Sequence, residues 1–179
     1  MATPIYDRSI EVLTFGLEDE IFAIEATCVR EILDLTNITR VPGAQPFVDG
    51  LLNVRGRVVP LADLRLKFHM EQRPPTIDSR IVVVEIDIEG DPVTVGLRAD
   101  RVFEVTELSA AALEDAPKIG MRWRSEYIRF IGKRDQDVVI VLNIESVFEN
   151  IGHQIAVENS PQAQVKGALS VVSTVQQGV

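Results

Sequence analysis

Apolar and polar positions alternate along most of the chain with a period of two. From Glu11 to Leu17 the apolar Leu13, Phe15 and Leu17 share one face, which predicts a half-buried strand. Glu18-Asp19-Glu20 turns the chain, and Ile21 to Glu25 returns as a second strand. Arg80 to Ile88 is a long β-branched strand, Glu89-Gly90-Asp91-Pro92 a turn signal, and Val93 to Leu97 the return. Further strands are predicted over Asn37 to Val41, Val102 to Val105, Ile128 to Gly132 and Val138 to Leu142, with Lys133 to Asp137 as the last turn. Ala26 to Leu33 stays open between helix and strand, because Val29, Ile32 and Leu33 sit at helical spacing in a short run. Little helix is predicted. There is a turn over Leu108 to Leu113, a short helix begun by Leu64 behind Asp63 as cap, and a final helix from Ile144 to Asn150 behind Asn143.

The stretch from Gly50 to Phe68 organises the rest. Leu51, Leu52 and Val54 form one apolar strand, Val58, Val59 and Leu61 the next, and Arg55-Gly56-Arg57 the turn between them, since glycine adopts positive φ at little cost. The hairpin therefore holds two arginines at its tip, a docking feature without a catalytic group. The second half of the chain repeats the order of the first. Val29-Arg30-Glu31-Ile32 is matched by Val102-Phe103-Glu104-Val105, and the hairpin, Asp63 and helix are matched by Phe130-Ile131-Gly132, a strand, Asn143 and a helix. These halves predict a mainly β fold of two similar small barrels on a shared hydrophobic seam. The expected domain spans 9–151, with lobes at roughly 9–70 and 78–151 and their exchange of strands left open. The polar stretch from His69 to Asp78, with Pro74-Pro75, would connect the halves, and 152–179 would be a flexible tail.

Charge and composition narrow the function. A net charge of −9 and an aromatic content of 6% disfavour a nucleic-acid partner, which needs a basic footprint and stacking platforms. One cysteine, Cys28, cannot form an internal disulfide, and the N-terminus lacks the pattern of a signal peptide. No apolar run approaches the ~20 residues of a membrane-spanning helix. The expectation is a cytoplasmic protein without membrane insertion. Phosphate-loop and dinucleotide motifs are missing, and His69 and His153 stand far from each other and from Cys28, so no cofactor or metal is expected. Cys28 as a thiol nucleophile, or Asp49 and Asp63 as carboxylates of a small hydrolase, would lack the accompanying acid–base motif. No enzyme is expected. What remains are surfaces: the two repeated segments, either core or the walls of a groove for an amphipathic helix, and the arginine-tipped hairpin. Trp123, between Arg122 and Arg124, reads equally as core or contact.

Several segments together resemble one family. Phe22-Ala23-Ile24, Val29-Arg30-Glu31-Ile32, Pro46 through Gly56, Val59 through Arg65 and Val141-Leu142-Asn143-Ile144 are similar, in order, to CheW, the bacterial chemotaxis coupling proteins. The resemblance runs from about Ser9 to Glu149 and is most specific from Gly50 to Arg65. It implies two five-stranded SH3-like barrels on a common core, and a non-enzymatic adaptor joining the cytoplasmic tips of methyl-accepting chemoreceptors to the regulatory domain of the histidine kinase CheA. Relatives of that system drive pilus motility or second-messenger output. Carried onto this chain, the family's receptor groove falls on Val29, Glu31, Ile32 and Val102, and its Asn-x-Arg-Gly turn on Asn53, Val54, Arg55 and Gly56, with Arg57 beside it. Where the family has Asp-Gly before the groove valine, this chain has Asp100-Arg101, which adds bulk and charge there.

Overall fold

The strands form two curled sheets. The computed structural model describes residues 7–117, 120 and 124–149. Trp123, His153, Asn150 and the expected tail at 152–179 lie outside the described residues. In chain order the elements are β1 (Ile10–Leu17), β2 (Glu20–Glu25), β3 (Val29–Asp34), β4 (Val48–Val54), β5 (Arg57–Ala62), α1 (Leu64–Lys67), β6 (Arg80–Ile88), β7 (Asp91–Ala99), β8 (Arg101–Leu108), β9 (Leu113–Glu114), β10 (Ile128–Arg134) and β11 (Asp137–Leu142), followed by α2 over 144–149. Six strands pair in the order β8-β1-β2-β11-β10-β9, and five in the order β3-β6-β7-β5-β4. The fold is mainly β, and two SH3-like lobes describe it.

The exchange of strands that the sequence left open is now visible. Each sheet takes its first hairpin from one half of the chain and its remaining strands from the other. β1-β2 pair with β8 and β11, while β6-β7 pair with β3 and β5. Both junctions between hairpins are parallel, β11 on β2 and β5 on β7.

Three apolar clusters follow from the pleat. On β1, Val12 points into the six-stranded lobe, whereas Leu13, Phe15 and Leu17 point into the seam. On β6, Ile81 and Val83 fill the five-stranded lobe, and Val82, Val84 and Ile86 the seam. β11 divides in the same way, Val139 and Val141 inward and Ile140 and Leu142 to the seam. A strand covered on both faces has no polar side. That is why Ile81 to Val84 and Val139 to Leu142 are uninterrupted apolar runs.

The two halves meet near α1 and α2. Asp63 N–H donates to Phe47 O at 2.8 Å and Asn143 N–H to Tyr127 O at 2.9 Å. Phe47 packs on Phe148, and Phe68 on Tyr127, each pair with ring centroids 6.1 Å apart. Asp63 Oδ1 caps α1 by accepting from Arg65 N–H at 3.0 Å, and Asn143 Oδ1 accepts from Ser146 N–H at 3.3 Å.

Local expectations needed adjustment. Gly56 and Gly132 are not mates: Gly56 occupies a turn with φ of 82°, while Gly132 sits in mid-strand opposite Val139. The partner of the Arg55-Gly56 turn is Asp135-Gln136, so β10 runs on to Arg134. Asn37 to Val41 forms only an isolated bridge, Thr39 to Leu51. Ala26 to Leu33 is both candidates in succession, a 3-10 turn at Ala26–Cys28 and then β3. The expected helical turn before Leu113 is a 3-10 turn over Ala110–Ala112.

Candidate protein-interaction surface

The hairpin tip is built by its own backbone. Arg55 has φ of 50° and Gly56 of 82°, two consecutive left-handed residues, the geometry that matches strand twist in a two-residue hairpin. Asn53 Oδ1 accepts from Gly56 N–H at 2.8 Å and locks the turn. Val54 points inward, 7% exposed, and belongs to the core of the five-stranded lobe. Arg55 reaches β3, where its Nη2 lies 3.0 Å from Glu31 Oε2 and its Nε donates to both carboxylate oxygens, at 3.1 and 3.3 Å. The sequence placed Arg55 and Glu31 on separate surfaces; the fold joins them. Arg55 is nonetheless 82% exposed, against 21% for Glu31. Beside them Arg30 pairs with Glu85 at 2.7 Å. Arg30's hydrogen bond and charge, helped by Arg57, hold the Glu85 carboxyl below its ordinary range. The six-stranded lobe has a counterpart, Arg134 of the β10–β11 tip on Glu104 of β8 at 2.5 Å.

The edge strands β3 and β8 each carry a bulge, and these bulges decide what is displayed. In β3 Val29 lies opposite Val84, but Glu31 lies opposite Val83, so Arg30 is the inserted residue. In β8 Val102 lies opposite Phe15 and Val105 opposite Leu13, leaving Phe103 and Glu104 against Thr14. The buried Thr14 hydroxyl binds that bulge, donating to Glu104 O at 3.0 Å and accepting from Glu104 N–H at 3.4 Å. In a regular pleat, residues three apart face opposite ways. The inserted residue brings Val29 and Ile32, and likewise Val102 and Val105, onto the seam side. Val29 and Val102 are half-buried against the central cluster, whereas Ile32 is 43% and Val105 56% exposed. Val105 and the exposed Phe103 lie in the repeated segment that the sequence leaves open between core and groove wall, of which only Val102 is named there as a site residue. The repeat carried the signal, since Val105 stands where Ile32 stands in the matched segment.

A second group of charges lies inside the protein. Arg65 is 1% exposed and Asp63 fully buried; Arg65 Nη2 is 2.7 Å from Asp63 Oδ2 and its Nε donates to Asp63 Oδ1 at 2.9 Å. Arg65 Nη1 donates to Asp100 Oδ1 at 2.8 Å and to Arg73 O at 3.3 Å. Asp100 Oδ2 accepts from Glu18 N–H at 2.7 Å, and Asp100 N–H donates to Gly16 O at 3.0 Å. Since Asp100 is the residue between β7 and β8, this cluster ties the two sheets together where the chain crosses between them. Burial alone would raise the Asp63 pKa, but the hydrogen bonds and charge of Arg65, with Gln72, leave it lowered. Asp49 has a counter-ion of its own, with Arg98 Nη1 2.7 Å from its Oδ2. Both carboxylates considered for hydrolysis thus serve as counter-ions. The Cys28 thiol donates to Glu25 O at 3.0 Å, and burial pushes its pKa up to about 11, which suppresses the thiolate. Among the described residues there is no cluster of metal-ligating side chains and no helix long and apolar enough to cross a membrane.

A family model described as "CheW-like domain" matches residues 11–152. The chain is 31% identical over 140 residues to the chemotaxis protein CheW of Klebsiella aerogenes, covering 78% of this chain and 82% of that protein. It is 28% identical over 148 residues to CheW of Bacillus subtilis, covering 82% and 92%. A shorter match, 38% over 76 residues, is to the protein PilI of Pseudomonas aeruginosa, covering 42% of this chain and 40% of that one. Among solved structures, the scaffolding protein TtCheW from Thermoanaerobacter tengcongensis superposes with a TM-score of 0.69 at 28% identity, covering 78% of this chain and 92% of that chain.

Proposed function

The chain belongs to the CheW-like family, and from that premise we propose that it is a non-enzymatic adaptor of bacterial chemotaxis, coupling the cytoplasmic tip of a chemoreceptor to the regulatory domain of CheA. The observation that carries this reading is the pair of apolar displays on the edge strands, Val29 with Ile32 and Val102 with Val105, backed by the central core. An amphipathic receptor helix needs such a rigid apolar strip with charges at its border. Glu31 and Arg55 supply the charges, and Asn53 and Gly56 hold the hairpin that presents Arg55 and Arg57. The protein works without a cofactor, in the cytoplasm at membrane-associated receptor arrays.

Mixing the purified protein with a receptor tip fragment and the CheA regulatory domain should give a ternary complex on a sizing column. Val29→Glu should weaken the receptor arm with little change in melting temperature. A variant that melts many degrees lower would mark Val29 as core and remove it from the surface. Arg55→Glu should lower receptor-stimulated kinase activity in a reconstituted assay. The match to PilI favours a second reading, a coupling protein of a chemotaxis-like pilus system. Preference for the receptor and kinase of that system over those of chemotaxis would select it.

A further inference from the structure

The open end of the six-stranded lobe holds a hollow beside Thr14. Counting three residues back from the last paired residue of each first hairpin reaches Glu85 on β6 and Thr14 on β1. In the five-stranded lobe Glu85 is tied to Arg30 of the adjacent strand at 2.7 Å, and Arg55 bridges to Glu31, so ion pairs border that end. At the other end Thr14 turns its hydroxyl to the β8 backbone, and the neighbouring strand offers Phe103 in place of an arginine. A cavity of about 270 Å³ remains, floored by Thr14, Ile21 and Val139 and rimmed by Phe103, Glu104, Arg134, Asp135 and Asp137. The Phe103 ring and the Arg101 stem lie over Gly16, where a Cβ would meet them at 3.5 and 3.2 Å. Arg134 is engaged by Glu104. Asp135 and Asp137 have no ion-pair partner among the described residues.

We propose that this hollow receives one arginine or lysine side chain from a protein partner, its alkyl stem on Phe103, Ile21 and Val139 and its cationic head between Asp135 and Asp137. Three carboxylates against one arginine select a cation, and the apolar floor suits a hydrocarbon stem that carries a charged tip. At about 270 Å³ the hollow has room for one long side chain. The inference concerns a different face from the apolar strips and stands whether or not the receptor reading holds.

Amide shifts of the ¹⁵N-labelled full chain test it, with acetyl-Ala-Arg-Ala-amide as the probe, agmatine as the free-amine comparison and glutarate as the anionic one. The peptide should move the Thr14, Phe103, Glu104 and Val139 amides in a saturable way. Asp135→Asn and Asp137→Asn, both in or beside an exposed turn, should each weaken it about fivefold, the size of one partly screened charge pair. No saturable shift, equal binding of glutarate, or unchanged affinity in both variants would overturn the proposal. Tighter binding of agmatine than of the peptide would also overturn it, assigning the hollow to a free amine.

Discussion

Arg65 and Arg55 make the same chemical contact in opposite surroundings. Each guanidinium grips a carboxylate, Arg65 on Asp63 at 2.7 Å and Arg55 on Glu31 at 3.0 Å, yet the first is 1% exposed and the second 82%. In the interior, partners cannot be replaced by water, so the pair fixes how β5, the β7–β8 crossing and the β1–β2 turn stand to one another. At the surface, water competes for both charges, so Arg55 contributes little to folding and can exchange Glu31 for a partner's carboxylate. Charge is therefore structural at the junction of the lobes and exchangeable at their ends.

Breaking the interior pair gives the largest expected effect. Arg65→Met strands Asp63 and Asp100 without a counter-ion and should cost about 3–5 kcal/mol in urea unfolding. Adding Asp63→Asn to Arg65→Met should restore part of that loss, because no buried charge is left unpaired on α1. Next in size is acid sensitivity. The folded Asp63 pKa lies below its ordinary value of 3.8, so its contribution is complete above that value and is lost as pH falls through the folded pKa. Stability measured from pH 6 down to pH 2 should drop at the acid end, and the Asp63→Asn profile should lack that part of the drop. Asp100→Asn keeps an acceptor for Glu18 N–H but removes the charge facing Arg65, and should cost about 1–2 kcal/mol by the same urea assay. The smallest effect on stability belongs to Arg55→Ala, whose thermal melt should overlay that of the unmutated protein while kinase activation in reconstitution falls. A lowered melting temperature there would erase the distinction between the two arginines.

The sequence is informative wherever one residue decides the outcome locally. The Arg55-Gly56 turn, the Asp63 and Asn143 caps and the long β6 strand are each set by neighbours in the chain, and all are present. The bulges are not local in this sense. Val29 and Ile32, three apart, suggested a helix because a pleat cannot put them on one face, and only the pairing with β6 shows the inserted residue that does so. The same pairing hides Val105, whose exposure depends on its place on an edge strand. Arg65 was read as part of a helix behind a cap, and its bond to Asp100 joins residues brought together only by folding. The ion pair of Arg55 with Glu31 escaped for the same reason. Of the candidate surface, the sequence supplied the residue types, and tertiary pairing supplied their joint orientation.

The trading of hairpins between sheets sets the order in which this protein can assemble. β1 and β2 leave the ribosome ahead of β8 and β11, and wait for one on each side before their sheet exists. A chain cut in the His69 to Asp78 connection would give two fragments, neither of which owns a complete sheet, so each should be unfolded alone and recover structure only when the two are mixed. The molecule cannot lose one lobe and keep the other.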